Sequence, residues 1–184
     1  MRQMLKLHPE SRCAAVTAIA VEATRPRAGL LVLRYVLTGS VSDLKLPAPT
    51  APTRADELWR HTCFEAFVGA ADRDAYLEFN LAPSSQWAAY QFTGYRQGMA
   101  PLEEFDAPGV EMTSTGQGLE LRGALNLERV AELATNAPWR LGLSAVIEAA
   151  DGAVSYWALA HPPGRADFHH PDCFVAELPA TERP

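Results

Sequence analysis

Hydrophobic residues along this chain come in short runs with turn residues between them, a pattern that is typical of β-strands. The clearest example is GLLVLRYVLTG at residues 29–39, which is rich in β-branched and aromatic residues and has glycine at both ends. The segment TAIAVEA before it has a shorter and weaker strand pattern. This pattern predicts a chain made mostly of short strands.

Turn signals between the strand patterns predict how the strands pair. TCFEAFVG and AYLEFNLA flank a loop at residues 69–74 and are predicted to form a hairpin, and QWAAYQF follows almost at once. GVEMTST joins GLELRGAL through a Gly-Gln-Gly turn, and WRLGLSAVIEA joins VSYWALA through Asp151 and Gly152. CFVAEL is the last strand pattern. Many short strands with tight turns between them predict an all-β protein with an antiparallel β-sandwich fold.

One segment, LNLERVAELAT, has the pattern of a short helix. Asn126 is suited to the N-cap of this helix, because its side-chain oxygen can accept a hydrogen bond from the first turn. An apolar stripe at helical spacing comprises Leu127, Val130, Ala131 and Ala134. We expect this helix to cover one end of a sheet.

The length and composition of the chain limit its architecture and its partners. Its 184 residues suit one domain, predicted to span residues 1–184, and 48% of them are hydrophobic. The net charge is −6 and basic residues do not cluster, which argues against a nucleic-acid partner. No apolar run reaches the roughly 20 residues that span a bilayer, so no membrane partner is predicted. The sequence predicts no particular oligomeric state.

The N-terminal segment and the cysteines bear on the cellular location. MRQMLKLHPESRCAAVTAIAVEA begins with positive charge, but Pro9, Glu10 and Arg12 interrupt the continuous apolar region that a signal peptide needs. The three cysteines are odd in number and far apart, so neither a disulfide framework nor a zinc knuckle is indicated. Both observations favour a cytoplasmic protein.

Side-chain alternation in the first hairpin places two carboxyl groups on one face of the sheet. The apolar positions of both strands form the core face, which leaves Glu65 and Glu78 together on the opposite face. A symmetric loop pairs Val68 with Ala75 and sets Glu65 directly opposite Glu78. Directly opposed carboxylates repel each other, so a cation, a shared proton or a ligand has to compensate. The candidate cations nearby in the sequence are Arg60, His61 and Arg96.

Two interpretations of this polar face remain open. The glutamates can lie on a solvated face where their repulsion is screened. They can instead line a ligand site, because a polar sheet face ringed by aromatic side chains suits a sugar or a planar ligand. The ligand interpretation predicts a site made of Trp59, Arg60, His61, Glu65, Glu78, Asn80, Trp87 and Arg96. Here rings stack on the ligand, carboxyl and amide groups hydrogen-bond its hydroxyls, and Arg60 balances their charge or holds an anionic ligand group.

The chain resembles a bacterial group of DOMON-like domains, which are related to the family 9 carbohydrate-binding modules. The resemblance covers nearly the whole chain and is carried by three stretches, ELWRHTCFEAFVG, AYLEFNLAPSSQWAAYQFTGYRQGM and SYWALAHPPGRADFHHPDCF. It implies an immunoglobulin-like β-sandwich that binds a ligand, which is sugar or haem in better-understood relatives. In carbohydrate-binding relatives a Trp precedes an acidic residue on the equivalent strand, a pattern that Trp59 and Glu65 match. Haem-binding relatives use an axial Met with a His or Lys, for which Met99 and His161 are the candidates.

The C-terminal stretch HPPGRADFHHPDC gathers histidines, carboxylates and a cysteine. We expect a loop across the end of the sandwich, in which His and Asp side chains bond backbone groups that lack a strand partner. The alternative is a metal-assisted hydrolase that uses His61, His161, Asp167 and His169. A third possibility is a domain that binds another protein through an exposed sheet edge or sheet face.

The sequence matches no motif of a nucleophile, a phosphate loop or a metal site with fixed spacing. We therefore predict no catalytic residue, no metal and no cofactor. The leading hypothesis is a non-catalytic domain that binds a carbohydrate or a sugar derivative.

Overall fold

Twelve strands and three short 3-10 helices make up the regular structure of the residues that the computed structural model describes, which are 1–131, 133 and 136–181. The 3-10 helices are Val41–Asp43, Leu58–Arg60 and Pro171–Cys173. Within the described residues, no helix has the length and apolar character that a membrane crossing would need. The strands are β1 (Arg2–Leu7), β2 (Val16–Arg27), β3 (Leu30–Gly39), β4 (Cys63–Ala70), β5 (Tyr76–Leu81), β6 (Trp87–Phe92), β7 (Ala100–Pro101), β8 (Gly109–Thr115), β9 (Gly118–Asn126), β10 (Trp139–Glu148), β11 (Val154–Ala158) and β12 (Ala176–Leu178).

These strands form one antiparallel sheet that folds back on itself into two facing halves. Its order is β7-β6-β5-β4-β10-β11-β1-β2-β3-β9-β8, and β12 pairs with β10. Strand β1 joins the halves, because its first residues pair with β2 while Lys6 and Leu7 pair with β11. We call β1, β2, β3, β9 and β8 the first half-sheet, and the remaining strands the second half-sheet.

The apolar core lies between the two half-sheets. Tyr35 of β3 and Phe64 of β4 are completely buried, and their ring centroids are 5.1 Å apart. The hydroxyl of Tyr35 donates a hydrogen bond of 2.6 Å to the backbone carbonyl of Glu65 in the opposite half. Gly123 of β9 faces Leu81 of β5 so closely that an added Cβ would lie 2.5 Å from the Leu81 Cδ1 atom. The two inner faces are therefore packed in direct contact.

The predicted all-β antiparallel sandwich is confirmed by this arrangement. The three predicted hairpins are present as β4–β5, β8–β9 and β10–β11. Strand β2 is longer than its weak pattern indicated, and β1 was not predicted. The segment RQMLKL of β1 fully buries only Leu5, so it lacks the alternation that reveals a strand.

The predicted helix is wrong for the part of it that the structure describes. Asn126 is the last residue of β9 and pairs with Leu30, and residues 127–131 form turns. The side chain of Asn126 accepts a hydrogen bond from the Glu128 N–H, as an N-cap residue does, but no helix follows. Leu127 and Val130 of the stripe are buried by these turns instead, whereas Ala131 is exposed. Ala134 lies outside the described residues.

The register of the β4–β5 hairpin also differs from the symmetric-loop prediction. Gly69 pairs with Tyr76, so Glu65 lies opposite Asn80 and Glu78 lies opposite Phe67. The pairing is displaced by two residues, and an even displacement leaves every side chain on its predicted face. Glu65 and Glu78 are therefore diagonal neighbours on one face instead of a directly opposed pair.

Candidate functional site

The outer face of the second half-sheet, which points away from the core, forms the floor of a pocket of about 830 Å³. Alternation along neighbouring strands brings together six outward-facing side chains, Glu65, Phe67, Glu78, Tyr90, Phe92 and Val146. Loops and the edge of β11 form the walls of the pocket around this floor. The wall residues include Trp59, Arg96, Tyr156, Phe168 and His169. A sheet face that is normally solvated is thereby turned into a concave site.

Glu65 is the most deeply buried acidic group of this floor, with 3% of its surface exposed. It sits between Asn80 on β5 and Ser144 on β10, and the Ser144 hydroxyl donates a hydrogen bond of 3.1 Å to its Oε2 atom. Burial, and secondly the nearby charge of Glu78, raise the pKa of Glu65 from 4.5 to about 8. At neutral pH this side chain is mainly a neutral acid that can donate a hydrogen bond.

Glu78 is the second buried carboxyl of the floor, with 5% of its surface exposed. The Asn80 amide donates a hydrogen bond of 2.8 Å to its Oε1 atom. Burial raises the pKa of Glu78, while the Asn80 hydrogen bond and the charge of Arg96 partly offset that rise. The floor therefore carries two carboxyl groups with different partners, and neither has a salt bridge to an arginine or lysine in the part of the chain that is described.

His169 closes one side of the pocket next to Glu78. Its Nδ1 atom lies 2.8 Å from the Tyr76 hydroxyl, and its Nε2 atom lies 3.8 Å from Glu78 Oε2. Burial, together with the charge of Arg96, lowers the pKa of His169 to about 4, so the ring is neutral at neutral pH. Tyr76 stacks on Phe92 with 4.7 Å between ring centroids, which holds this wall rigidly on β5 and β6.

An ion pair fastens the C-terminal loop over the floor. The guanidinium of Arg96 donates two hydrogen bonds to Oδ1 of Asp167, of 2.8 Å and 3.2 Å, and the Tyr95 hydroxyl donates to the same carboxylate. Although burial opposes it, the hydrogen bonds from Arg96 and Tyr95 lower the pKa of Asp167. The loop that supplies Phe168 and His169 is thus held by a charged contact to the segment after β6.

Aromatic rings line both the floor and the walls of the pocket. Phe67, Tyr90 and Phe92 belong to the strands of the floor, and Tyr156 and Phe168 lie 6.1 Å apart on one wall. Trp59 stands on the 3-10 helix Leu58–Arg60 with 47% of its surface exposed. An exposed indole beside a pocket is available to a ligand, since aromatic faces gain most when they are covered.

Four of the eight predicted site residues line this pocket, namely Trp59, Glu65, Glu78 and Arg96. Asn80 is fully buried behind them, where it orients Glu78 without lining the pocket. The prediction that Trp87 lies on this face is wrong. Trp87 belongs to the core on the inner face, because it pairs with Leu81 of β5, and Arg54 lies 4.7 Å from its ring.

The other two predicted residues point elsewhere. Arg60 donates a hydrogen bond of 2.6 Å to Glu57 at the surface. His61 lies 2.6 Å from the carboxylate of Glu148, which also binds Lys45 at 2.7 Å. Neither side chain lines the pocket, so the predicted roles of Arg60 as counter-charge and of His61 as contact residue have no geometric basis there.

The alternative metal site has no geometric basis within the described residues, where no group of three or more His, Cys, Asp or Glu side chains is placed to hold a metal ion. His161 bonds the backbone carbonyl of Lys6 at 2.8 Å, and Asp167 accepts a hydrogen bond from the His169 N–H. His170 likewise accepts a hydrogen bond from the Asp172 N–H. The C-terminal stretch thus acts as the expected loop, whose polar side chains bond the backbone.

Sixteen of the twenty residues that line the pocket were not among the predicted site residues. The missed lining residues include His8, Arg12, Tyr90, Tyr156, Arg165 and Phe168. Tyr90 could have been predicted from the sequence, because it shares a strand face with Phe92 and its strand pairs with the strand that carries Glu78. Tyr156 lies on β11, and the others lie on the loops that follow β1 and β11. These segments come together through the pairing of β1 with β11, which are about 150 residues apart in the sequence.

Comparison with known proteins bears on the fold. A scan of protein-family models gives no match, and a search of curated proteins gives no significant match. Among solved structures, a candidate carbohydrate-binding protein from Bacteroides uniformis ATCC 8492 has a TM-score of 0.70 at 12% identity, covering 97% of this chain and 85% of that one. A family 9 carbohydrate-binding module from Caldicellulosiruptor kristjanssonii, in complex with cellotriose, has a TM-score of 0.59 at 7% identity, covering 100% and 84%.

The fold is that of a family 9 carbohydrate-binding module. A second structure from Caldicellulosiruptor kristjanssonii, in complex with glucose, has a TM-score of 0.52 at 11% identity, covering 98% of this chain and 86% of that one. At these identities the comparison establishes the shape of the chain, and its chemistry has to be argued from its own residues.

Proposed function

We propose that this chain is a non-catalytic carbohydrate-binding domain, and that its ligand is a sugar or a sugar derivative held in the pocket on the outer face of the second half-sheet. The observation that carries the proposal is the combination of two buried carboxyl groups, Glu65 and Glu78, with aromatic walls in one pocket. We also propose membership of the DOMON-like group, on the three stretches that carry the resemblance.

The chemistry of the pocket suits a sugar. A pyranose ring has apolar C–H faces that pack on aromatic rings and a rim of hydroxyl groups that donate and accept hydrogen bonds. Trp59, Tyr156 and Phe168 offer ring faces or edges, and the floor offers carboxyl oxygens. A volume of about 830 Å³ lies within the range of small-molecule sites and has room for one or two sugar rings.

The arrangement of the carboxyl groups favours binding over hydrolysis. Glycosidases place an acid and a second carboxylate on opposite sides of the scissile bond. Glu65 and Glu78 instead stand side by side on adjacent strands of one floor, and both point the same way. This geometry lets both groups contact hydroxyls on one edge of a ring, whereas it does not enclose a glycosidic bond.

Titration calorimetry with glucose, galactose, cellobiose and cellotriose tests the proposal. We expect at least one of these sugars to bind, and Trp59→Ala and Glu78→Gln each to weaken it by about tenfold or more. Met4→Ala is the matched control for loss of an exposed apolar side chain, and Glu103→Gln is the control for an exposed glutamate.

Two outcomes would contradict the proposal. One is the absence of binding by every sugar at millimolar concentration, and the other is binding that the Trp59 and Glu78 variants leave unchanged. Release of glucose from cellobiose during a long incubation would contradict the non-catalytic part alone.

A further inference from the structure

We propose that the bound sugar carries an anionic group, a carboxylate or a phosphate, and that Arg12 and Arg165 hold this group at the rim of the pocket. This inference rests on the proposed function, because it assigns the ligand class of the same site. It concerns a different part of that site from the floor and the aromatic walls.

Two arginines line the same pocket from distant parts of the chain. Arg12 lies on the loop between β1 and β2, and Arg165 lies on the loop after β11. Both side chains are exposed at the rim. Neither has a hydrogen bond or a carboxylate within ion-pair distance among the residues that the structure describes. Their guanidinium groups are therefore free to bind a ligand.

Other arginines near this half-sheet are used differently. Arg96, also in the pocket wall, binds Asp167 through two N–H groups. Arg54 donates to the backbone carbonyl of Leu102 at 2.7 Å. These guanidinium groups fix loops of the protein, whereas those of Arg12 and Arg165 are not needed for such a task.

His8 adds a donor without a partner on the same side of the pocket. Only 3% of its surface is exposed, and its Nδ1 atom accepts a hydrogen bond of 3.2 Å from the Glu10 N–H. In the neutral ring this acceptor role places the proton on Nε2. Within the described residues this Nε2 atom has no hydrogen-bond partner. The loop at residues 8–12 thus presents both a buried donor and a free guanidinium.

The carboxyl groups of the floor compensate little of the positive charge that Arg12 and Arg165 place at the rim. Because burial raises the pKa values of both floor carboxyl groups, Glu65 above all carries little negative charge at neutral pH. Glu10 is the acidic residue of the rim itself, and it forms no ion pair in the described structure. A ligand anion is the group that best satisfies two free guanidinium groups, since arginine binds carboxylate and phosphate through paired N–H donors.

The site thereby has two chemically different ends. The ring of the sugar lies against the aromatic walls with its hydroxyl groups toward Glu65 and Glu78. The anionic substituent lies at the rim beside Arg12 and Arg165. A uronic acid and a sugar phosphate both present this combination of a neutral hydroxylated ring and one charged group.

Calorimetry with matched probes tests the inference. Glucose is compared with glucuronate and with glucose 6-phosphate, which share the ring and differ in the anionic group, and inorganic phosphate is titrated alone. We expect at least one acidic sugar to bind about tenfold or more tightly than glucose, and high salt to reduce this preference.

A double variant separates the rim from general charge. Arg12→Gln/Arg165→Gln should weaken binding of the acidic sugar far more than binding of glucose and should thereby remove the preference. Arg73→Gln/Arg129→Gln removes the same net charge from exposed positions outside the pocket and should leave the preference intact.

The outcomes distinguish this inference from the proposed function. Glucose that binds as tightly as both acids, or a preference that survives Arg12→Gln/Arg165→Gln, overturns the inference and leaves the proposed function standing. Binding of inorganic phosphate with no binding of any sugar overturns the proposed function and the sugar part of the inference. Absence of binding by all four probes overturns the inference, and it overturns the proposed function as well only if galactose, cellobiose and cellotriose also fail to bind.

Discussion

Replacement of Glu65 by glutamine should change how the stability of this protein depends on pH. Glutamine has nearly the same shape as glutamate, so Glu65→Gln keeps the packing against β5 and β10 and can still accept the hydrogen bond from Ser144. What the variant removes is the ability of this position to ionise. The pH dependence of the difference between wild type and variant therefore isolates the titration of Glu65.

The magnitude follows from the burial of Glu65. Its pKa is 4.5 in an exposed setting and about 8 in the folded protein. One pKa unit corresponds to about 1.36 kcal/mol, so ionisation of Glu65 costs the folded state about 5 kcal/mol. Since only 3% of Glu65 is exposed, solvent screens this cost little.

The sign of the effect is set by the raised pKa. Below pH 4.5 the side chain is protonated in both the folded and the unfolded chain, and no penalty arises. Between pH 4.5 and about 8 the unfolded chain loses the proton while the folded chain keeps it, so the free energy of unfolding falls as the pH rises. His169, whose pKa is lowered to about 4, acts in the opposite direction in the acid range, but it is present in both proteins.

Urea unfolding followed by tryptophan fluorescence, from about pH 5 to about pH 9, measures this difference. We expect Glu65→Gln to gain up to about 5 kcal/mol relative to wild type across that range. Glu103→Gln, the same chemical change at an exposed position, should show no such trend. A difference between Glu65→Gln and wild type that stays constant within about 1 kcal/mol would refute a neutral, buried Glu65.

Two further changes probe other parts of the fold. Arg25→Ala should lower the free energy of unfolding by about 2 to 4 kcal/mol, because Arg25 stacks 3.6 Å from the Trp139 ring and donates to the carbonyl of Ala137 at 2.8 Å. Urea unfolding checks this, and a loss below about 0.5 kcal/mol would contradict it. Gly98→Ala should cost about 1 to 3 kcal/mol, because φ is +61° there and a Cβ would clash with Thr93. Thermal unfolding checks it, and an unchanged Tm would show that the loop adapts.

The faces of the β4–β5 hairpin could be predicted from the sequence, whereas its register could not. Alternation alone assigns Glu65 and Glu78 to one face, because their neighbours in both strands are apolar at every second position. The register depends on the residue at which the turn begins, and here Gly69 and Tyr76 already pair. Turn geometry in a loop of polar residues leaves no clear mark in the sequence.

The position of Trp87 illustrates a second limit. In the segment WAAYQF both faces of the strand carry an aromatic residue. Trp87 and Ala89 share one face, and Tyr90 and Phe92 share the other. The pairing of β6 with β5 determines which face of β6 points to the core, because it places Trp87 beside Leu81 on the core side. An amphipathic pattern identifies faces only when one of them is clearly polar.

The walls of the pocket could not be predicted for a different reason. Arg12 and Arg165 line the same pocket because β1 crosses from the first half-sheet to pair with β11. The turns that replaced the predicted helix bury Leu127 and Val130 just as a helix would have buried them. In both cases contacts between distant segments decide the local structure, and local sequence patterns do not record such contacts.

The indole N–H signals of the four tryptophans test most directly whether a sugar binds on the outer face of the second half-sheet. Only Trp59 lies at the pocket, while Trp87, Trp139 and Trp157 are buried in the core. In ¹⁵N–¹H correlation spectra recorded as glucose, glucuronate or cellobiose is added, we expect the Trp59 indole signal to shift and saturate while the other three stay in place. A saturating titration that moves one of the three core signals and leaves Trp59 unchanged would contradict it.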